Sequence, residues 1–337
     1  MNMKKSPIYQ QIKTLSIFAL LSFGVIVVAL IFQTLFSYGN NATGVPKNNS
    51  SKKTSTVIPI DPFKNLSLEA RAVYVFDLST NKVLYARDEN EKLPLASLTK
   101  LMTALVALDG MNSDSLVTLT KKDISAEGDS GLLSGEKWRL GDLLKTMLVA
   151  SSNDAAHAVS RFVGSMGQND LEDEGMTRFV GMMNEKAQML GLSSMEFFNE
   201  SGLDVGDGEI KNGIPFVSTK AGGYGSAKDV ELLIKYLWQK YPSTLQITMY
   251  QNAKITSDNG IIHDVPNTNE ALGRFPGMIA SKTGYTTLAG GNLAIIFDTG
   301  IGHPVIAVVL GSSYHGRFSD MQTLTEATLQ SINPVTQ

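Results

Sequence analysis

The sequence predicts an α+β protein, an antiparallel sheet flanked by helices with a largely helical subdomain set into the chain. Three observations carry that expectation. Strand-like runs open the folded part at Arg71–Asp77 and Lys82–Ala86. Helical periodicity then dominates from Ser97 to Tyr241. Strands return from Ala253, and a helix over Phe318–Ile332 closes the chain.

Before the folded part, Lys4, Lys5 and Lys13 precede an uncharged apolar stretch over residues 14–36. As a helix this stretch would run roughly 35 Å, enough to cross a hydrocarbon core of about 30 Å. Lysines on its near side predict a short cytoplasmic tail, 1–13, and a catalytic part outside the cytoplasm on a single-pass membrane anchor. The rival is a cleaved signal peptide. Its apolar core usually spans about 7–15 residues before an Ala-x-Ala-like site, whereas this segment is longer and is followed by Ser37-Tyr38-Gly39. Residues 37–58, rich in Asn, Ser, Thr and Lys, bury too little to offset their ordering entropy and read as a flexible linker. Residues 59–337 form the predicted folded domain.

Within it, Arg71–Asp77 and Lys82–Ala86 form a hairpin around the turn Ser79-Thr80-Asn81. Ser97 opens a helix that reads as amphipathic, with Leu101, Leu105 and Leu108 available to a core. A strand-like run at Leu116–Thr120 and a turn at Ser134–Lys137 lead to helices at Leu140–Leu148 and Asp154–Val163. Another helix spans Met176–Leu190, whose Met182 and Met183 read as core rather than cofactor contacts. The last helix of the subdomain, Ser226–Tyr241, has Ser226 as its N-cap and Asp229 in its first turn. Asn259-Gly260 joins Ala253–Thr256 to Ile261–Asp264 as a hairpin. Three further strands follow at Met278–Thr286, Asn292–Phe297 and Pro304–Leu310.

Composition narrows the chemistry. The chain has no cysteine, so disulfides and thiolate catalysis are excluded. Its four histidines, His157, His263, His303 and His315, show no metal-ligand spacing, and neither a metal nor another cofactor is implied. Net charge is −3, and the first sixty residues carry lysines but no acid, so the acidic excess falls on the folded part. Nothing resembles a basic stripe for nucleic acid.

The chemistry must come from serine and lysine. Ser97 and Lys100 stand at i and i+3 on one helical face, and a desolvated amine beside a hydroxyl can take its proton. Ser-x-x-Lys alone is weak evidence, since it also occurs at Ser50, Ser79 and Ser134. Context removes the others: a linker, a hairpin and a turn. Two more features stand out. Ser151-x-Asn153 lies on a polar corner between two apolar helices, whereas the Ser-x-Asn copies at Ser79, Ser257 and Ser331 do not. Lys282-Thr283-Gly284 lies inside an apolar strand, where a glycine marks close approach of a backbone or a ligand. Across one cleft these would supply a nucleophile, a base, a proton relay, an amide hydrogen-bonder and a cation.

With Ser-x-x-Lys, Ser-x-Asn and Lys-Thr-Gly in this order, the chain resembles the serine-type D-alanyl-D-alanine carboxypeptidases. These are low-molecular-mass penicillin-binding proteins of peptidase family S11, with a β-lactamase/transpeptidase-like fold. The segments Ala96–Ala104, Ser152–Ala156, Phe198–Asp204, Tyr224–Asp229 and Ser281–Thr286 share in the resemblance, which covers about Leu66 to Asp320. It implies catalytic roles for Ser97, Lys100 and Ser151, and substrate contacts at Asn153, Lys282, Thr283, Gly284 and Tyr285. Ser97 would be acylated by a peptidoglycan stem peptide, or by a β-lactam, with the Ser97 and Tyr285 N–H groups as oxyanion donors. Threonine in Asn267-Thr268-Asn269 stands where related enzymes often carry a carboxylate-binding arginine. Arg274 and Arg317 are then candidate substitutes, each equally explained as an ion-pairing residue. A D,D-endopeptidase acting on cross-links is the alternative activity. A β-lactamase is disfavoured because no Glu-x-x-Leu-Asn segment is present, Glu196–Asn199 being the nearest. A non-hydrolytic sensor module would have lost a catalytic residue, and none is lost.

Overall fold

Alternation along the strands builds the central sheet. The computed structural model describes residues 61–333 apart from 126, 127, 129, 167–171, 207–209, 212, 213, 216–218 and 301. Its first elements are β1 (Ala72–Asp77), β2 (Lys82–Arg87), α1 (Thr99–Gly110), α2 (Leu140–Val149), α3 (Asn153–Gly164), α4 (Glu172–Met189) and α5 (Ala227–Lys240). There follow β3 (Asn252–Thr256), β4 (Ile262–Pro266), β5 (Met278–Thr286), β6 (Gly290–Asp298), β7 (Pro304–Ser312) and α6 (Gly316–Ile332). The anchor and linker expected over 14–36 and 37–58 lie outside the described residues. Among the described residues, no helix is long and apolar enough to cross a membrane.

The sheet runs β5-β6-β7-β1-β2, antiparallel throughout. β1 is buried at every position because it is covered on both faces. Side chains alternate across a strand. Ala72, Tyr74 and Phe76 therefore join one core with α1, α2, α3 and α5, while Val73 and Val75 join a second with Phe318, Met321 and Leu324 of α6. Burying each such aliphatic or aromatic side chain contributes about 1.5–3 kcal/mol. β2 is the far edge, and its exposed Lys82 protects that edge from further pairing. The opposite edge, β5, is the one that matters for chemistry.

The chain between β2 and β5 supplies α1–α5 and the β3–β4 ribbon, and Ile60–Gln337 forms one compact unit. Caps set helix starts where the sequence places them. Ser226 Oγ accepts from Asp229 N at 3.1 Å, and Ser152 Oγ accepts from Ala155 N at 3.0 Å. One expectation needs correction. α1 is not amphipathic toward solvent but buried from Thr99 to Ala107 on every face. Its polar side chains meet partners inside the molecule: Thr103 Oγ1 donates to Glu200 O at 2.6 Å, and Lys100 faces Ser97. The helix is the hub of the domain.

Candidate active site

The candidate nucleophile, Ser97, sits on a strained turn. Ala96–Leu98 is a single 3-10 turn leading into α1, and Ala96 has φ +48°, a left-handed conformation that costs a non-glycine residue on the order of 1–3 kcal/mol. Two glycines press on this turn. A Cβ at Gly202 would lie 1.9 Å from Ala96 O. One at Gly284 would lie 2.9 Å from Leu95 O and 3.2 Å from Ser97 N. Only glycine lets both segments close on the serine, which places the Gly284 backbone beside the Ser97 N–H. Ser97 itself remains half-buried, open to a cleft.

Lys100, wholly buried, donates to Ser97 Oγ at 3.1 Å, to Asn153 Oδ1 at 2.7 Å and to Ser201 O at 2.8 Å. Three acceptors around one amine fix its direction. Burial pushes its pKa down to about 7, with the negative charge of Glu200 working the other way. An amine poised there can exchange a proton with a hydroxyl at neutral pH. Asn153, read from sequence as a substrate contact, spends its carbonyl oxygen on holding the lysine.

The polar corner and the strand edge meet across the cleft. Ser151 has φ +58°, between α2 and the Ser152 cap of α3. Lys282 on β5, almost fully buried, donates to Ser151 Oγ at 2.8 Å and to Thr283 O at 2.9 Å. Burial first, then the cations Lys100 and Arg317, push the Lys282 pKa well below its ordinary value. Among the described residues β5 pairs with β6 alone, so its cleft side is a strand edge that an extended peptide can join.

Ser97, Ser151, Thr268, Thr283, Gly284, Tyr285 and Arg317 line one cavity of about 280 Å³. Thr268 Oγ1 and Thr283 Oγ1 share a hydrogen bond of 2.6 Å at its wall. The structure separates the two candidate arginines. Arg274 is exposed and lines a neighbouring cavity, whereas Arg317 is buried in the cleft wall and donates from Nη1 to Gly284 O at 3.0 Å. Its guanidinium lies 4.4 Å from the Tyr314 ring centroid, and the Glu270 carboxylate, which accepts from Tyr314 Oη at 3.0 Å, lines the same cavity. All eight sequence-predicted site residues thus gather in one region: Ser97, Lys100, Ser151, Asn153, Lys282, Thr283, Gly284 and Tyr285.

The rejected motif copies fall elsewhere. Ser79 N donates to Asp77 Oδ1 in the β1–β2 turn. The Ser257–Asn259 turn contacts Lys137 on the β3–β4 ribbon. Sequence reasoning missed Ser130. Its hydroxyl bonds Ser152 Oγ at 2.6 Å and donates to Asp154 Oδ2 at 2.9 Å. With Ser151–Asn153 it lines a 290 Å³ cavity that continues the cleft past Ser151. Only a serine beside two glycines marked it in the sequence, a signal too common to use.

A half-exposed serine, a buried lysine near neutrality and a cation-backed second serine beside a free strand edge make a serine–lysine acyl-transfer site. A family model described as D-alanyl-D-alanine carboxypeptidase matches residues 59–314, and the chain belongs to that family, peptidase family S11. It is 34% identical over 221 residues to D-alanyl-D-alanine carboxypeptidase DacB2 of Mycobacterium tuberculosis, covering 65% of this chain and 67% of that protein. With D-alanyl-D-alanine carboxypeptidase DacF of Bacillus subtilis it shares 31% identity over 74% of this chain but 59% of the relative's length. Among solved structures, a D-alanyl-D-alanine carboxypeptidase from Mycobacterium tuberculosis H37Rv aligns with a TM-score of 0.65 at 29% identity, covering 82% of this chain and 97% of that one. Penicillin-binding protein D2 from Listeria monocytogenes, in its ampicillin-bound form, aligns with a TM-score of 0.62 at 30% identity over 78% and 98%. The α+β architecture expected from sequence is therefore that of the penicillin-binding D,D-peptidases.

Proposed function

We propose that the protein is a serine-type D-Ala-D-Ala carboxypeptidase that removes the terminal D-alanine of peptidoglycan stem peptides. The observation that carries this reading is Lys100, buried, 3.1 Å from Ser97 Oγ and near neutral pKa. Ser97 Oγ attacks the carbonyl between the two D-alanines while its proton passes to Lys100 Nζ. Negative charge develops on the carbonyl oxygen, where the N–H groups of Ser97 and Tyr285 serve as donors, each typically worth about 10²–10³ in rate. The tetrahedral adduct collapses, and the proton held on Lys100 is relayed through Ser151, bonded to Lys282, to the departing amine. Water then hydrolyses the Ser97 ester. The terminal carboxylate is met by Thr283, Arg317 and the positive potential of Lys282.

The same route would acylate Ser97 with β-lactams. Residues 14–36 would hold the catalytic domain outside the cytoplasm as a single-pass anchor, the lysine-flanked apolar run being its support.

Incubating the purified protein with a stem pentapeptide and with a cross-linked dimer tests the reading. Free D-alanine should appear from the pentapeptide and vanish in Ser97→Ala. Cleavage of the dimer alone would replace the carboxypeptidase with the endopeptidase, as in the Haemophilus influenzae relative of that name, 29% identical over 74% of this chain. Turnover of neither would sink both.

A further inference from the structure

Two side chains that the reaction above does not use meet at the Arg317 end of the cleft. Tyr314, between β7 and α6, donates from Oη to Glu270 Oε1 at 3.0 Å. Both line the cleft cavity together with Thr283, Tyr285 and Arg317. Glu270 also lines a second cavity of about 290 Å³, with Glu69, Arg274, Ser313 and His315. Tyr314 thus faces the cleft while its chain neighbours on either side face the second cavity. The Tyr314–Glu270 bond marks the boundary between the two spaces.

A single exposed hydrogen bond would hold such a boundary weakly. The ring, however, is fixed on other sides as well. Its centroid lies 4.4 Å from the Arg317 guanidinium. The Tyr285 ring meets it at 5.0 Å and 83°, and the His315 ring at 4.8 Å and 86°, the edge-to-face arrangement that aromatic pairs favour. The backbone beneath each partner is also tied down. Ser313 Oγ accepts from Gly316 N at 2.9 Å where α6 begins. On the other wall, buried Asn269 accepts from Ala271 N at 3.1 Å, and its own N–H donates to Asn267 Oδ1 at 2.9 Å.

Arg317 gives this boundary its place in the reaction. In the mechanism above it meets the substrate's terminal carboxylate, and Tyr314 packs against it. A leaving group of one D-alanine ends at that guanidinium. In a cross-link the departing amine belongs to a second stem peptide, so the chain has to continue beyond it. We propose that Tyr314 and Glu270 form a specificity-determining bar, which admits a leaving group of one D-alanine and turns away one that carries a second stem peptide. The cavity beyond is the space that the second peptide takes once the bar is removed. The bar works by excluding the wrong substrate, not by adding affinity for the right one. This inference rests on the carboxypeptidase reading, and its test separates the two.

The measurement is kcat/KM of the full-length protein for a stem pentapeptide and for a cross-linked dimer. The parent should favour the pentapeptide. Tyr314→Ala, which removes the ring, should raise the dimer-to-pentapeptide ratio by about tenfold or more. Tyr314→Phe, which keeps the ring and loses only its bond to Glu270, should raise it by less. Glu270→Ala should raise it too, and Glu270→Gln, whose amide oxygen can still accept from Tyr314, should restore it toward the parent value. An unchanged ratio in Tyr314→Ala overturns the proposal. So does a loss by one factor for both substrates, which a merely structural ring would give, or a parent that cleaves the dimer as readily as the pentapeptide. If the parent turns over neither, the peptidase reading has failed, and binding then tests the bar by itself. In the Ser97→Ala protein, a dye-labelled dimer should bind about tenfold more tightly once Tyr314→Ala is added, with little change for the pentapeptide. Equal changes for both reject the bar.

Discussion

Two buried cations in this domain have opposite surroundings. Arg161 on α3 is 1% exposed and meets Asp123, which takes its Nε at 3.0 Å and Nη2 at 2.8 Å. The same carboxylate bonds His157 Nδ1 at 2.9 Å and accepts from Thr120 N at 2.7 Å. Burial alone would raise the Asp123 pKa, but bonds from His157 and Arg161 outweigh it and hold the group well below the carboxylate range. Lys100, equally buried, has neutral acceptors and an offset carboxylate, and its pKa falls to about 7. The first cluster settles its charge in order to hold loops together. The second leaves its charge unsettled so that a proton can leave.

Removing each centre should give opposite outcomes. Lys100→Met is expected to lower acylation by about 10²–10⁴ as its base disappears, while melting no lower than the parent, because a desolvated amine is replaced by an apolar chain. A melting loss in that variant would show that Lys100 also holds the fold. Asp123→Asn should leave Arg161 without its counter-charge and cost about 3–5 kcal/mol in denaturant unfolding. Ser97 labelling should persist wherever that variant remains folded. Loss of labelling in the folded variant would tie the two clusters together.

Acid should separate the regions without mutation. Lys100 acts as a base only when neutral, so acylation should rise with pH through about 7 and fade below it. For Asp123 the sign is opposite. Its folded pKa is depressed, so its contribution is present above the unfolded carboxylate value and lost only as pH falls through the folded one. At mildly acidic pH the protein should therefore be inactive yet native by circular dichroism, and recover on return to neutrality. An unfolding transition that coincides with loss of activity would contradict this. The smallest effect belongs to the surface. Lys92 and Glu196 pair at 2.7 Å with both side chains about half exposed, and Glu196→Gln should change stability by about 0–1 kcal/mol.

The legible parts of the molecule were those with local causes. Apolar, β-branched runs gave β1, β5, β6 and β7 to within a residue or two, because strands of this sheet are buried along most of their length. Capping located α5 through Ser226. The candidate nucleophile was singled out by elimination, since a linker, a hairpin and a turn cannot hold two side chains face to face. What stayed hidden depends on residues far apart in sequence. The full burial of α1 could not be read from its own pattern, because Lys100 and Thr103 find partners about a hundred residues away. The Asp123–Arg161 bond, the role of Asn153 as a lysine holder and the choice of Arg317 over Arg274 have the same origin. Each is a matter of which side chains meet, and residue type does not reveal that.

Gly202 and Gly284 close on the Ala96–Ser97 turn from separate segments, with no room for a single added carbon. Contacts between backbones cannot be relieved by rotating a side chain, so this part of the domain has almost no freedom to vary. Diversity in what such a protein accepts must enter at the cleft rim instead, where Tyr285 and Tyr314 are exposed and Thr268 is half-buried. The grip on the Ser97 turn is made of backbone, whereas the rim around it is made of side chains that can be exchanged without moving it.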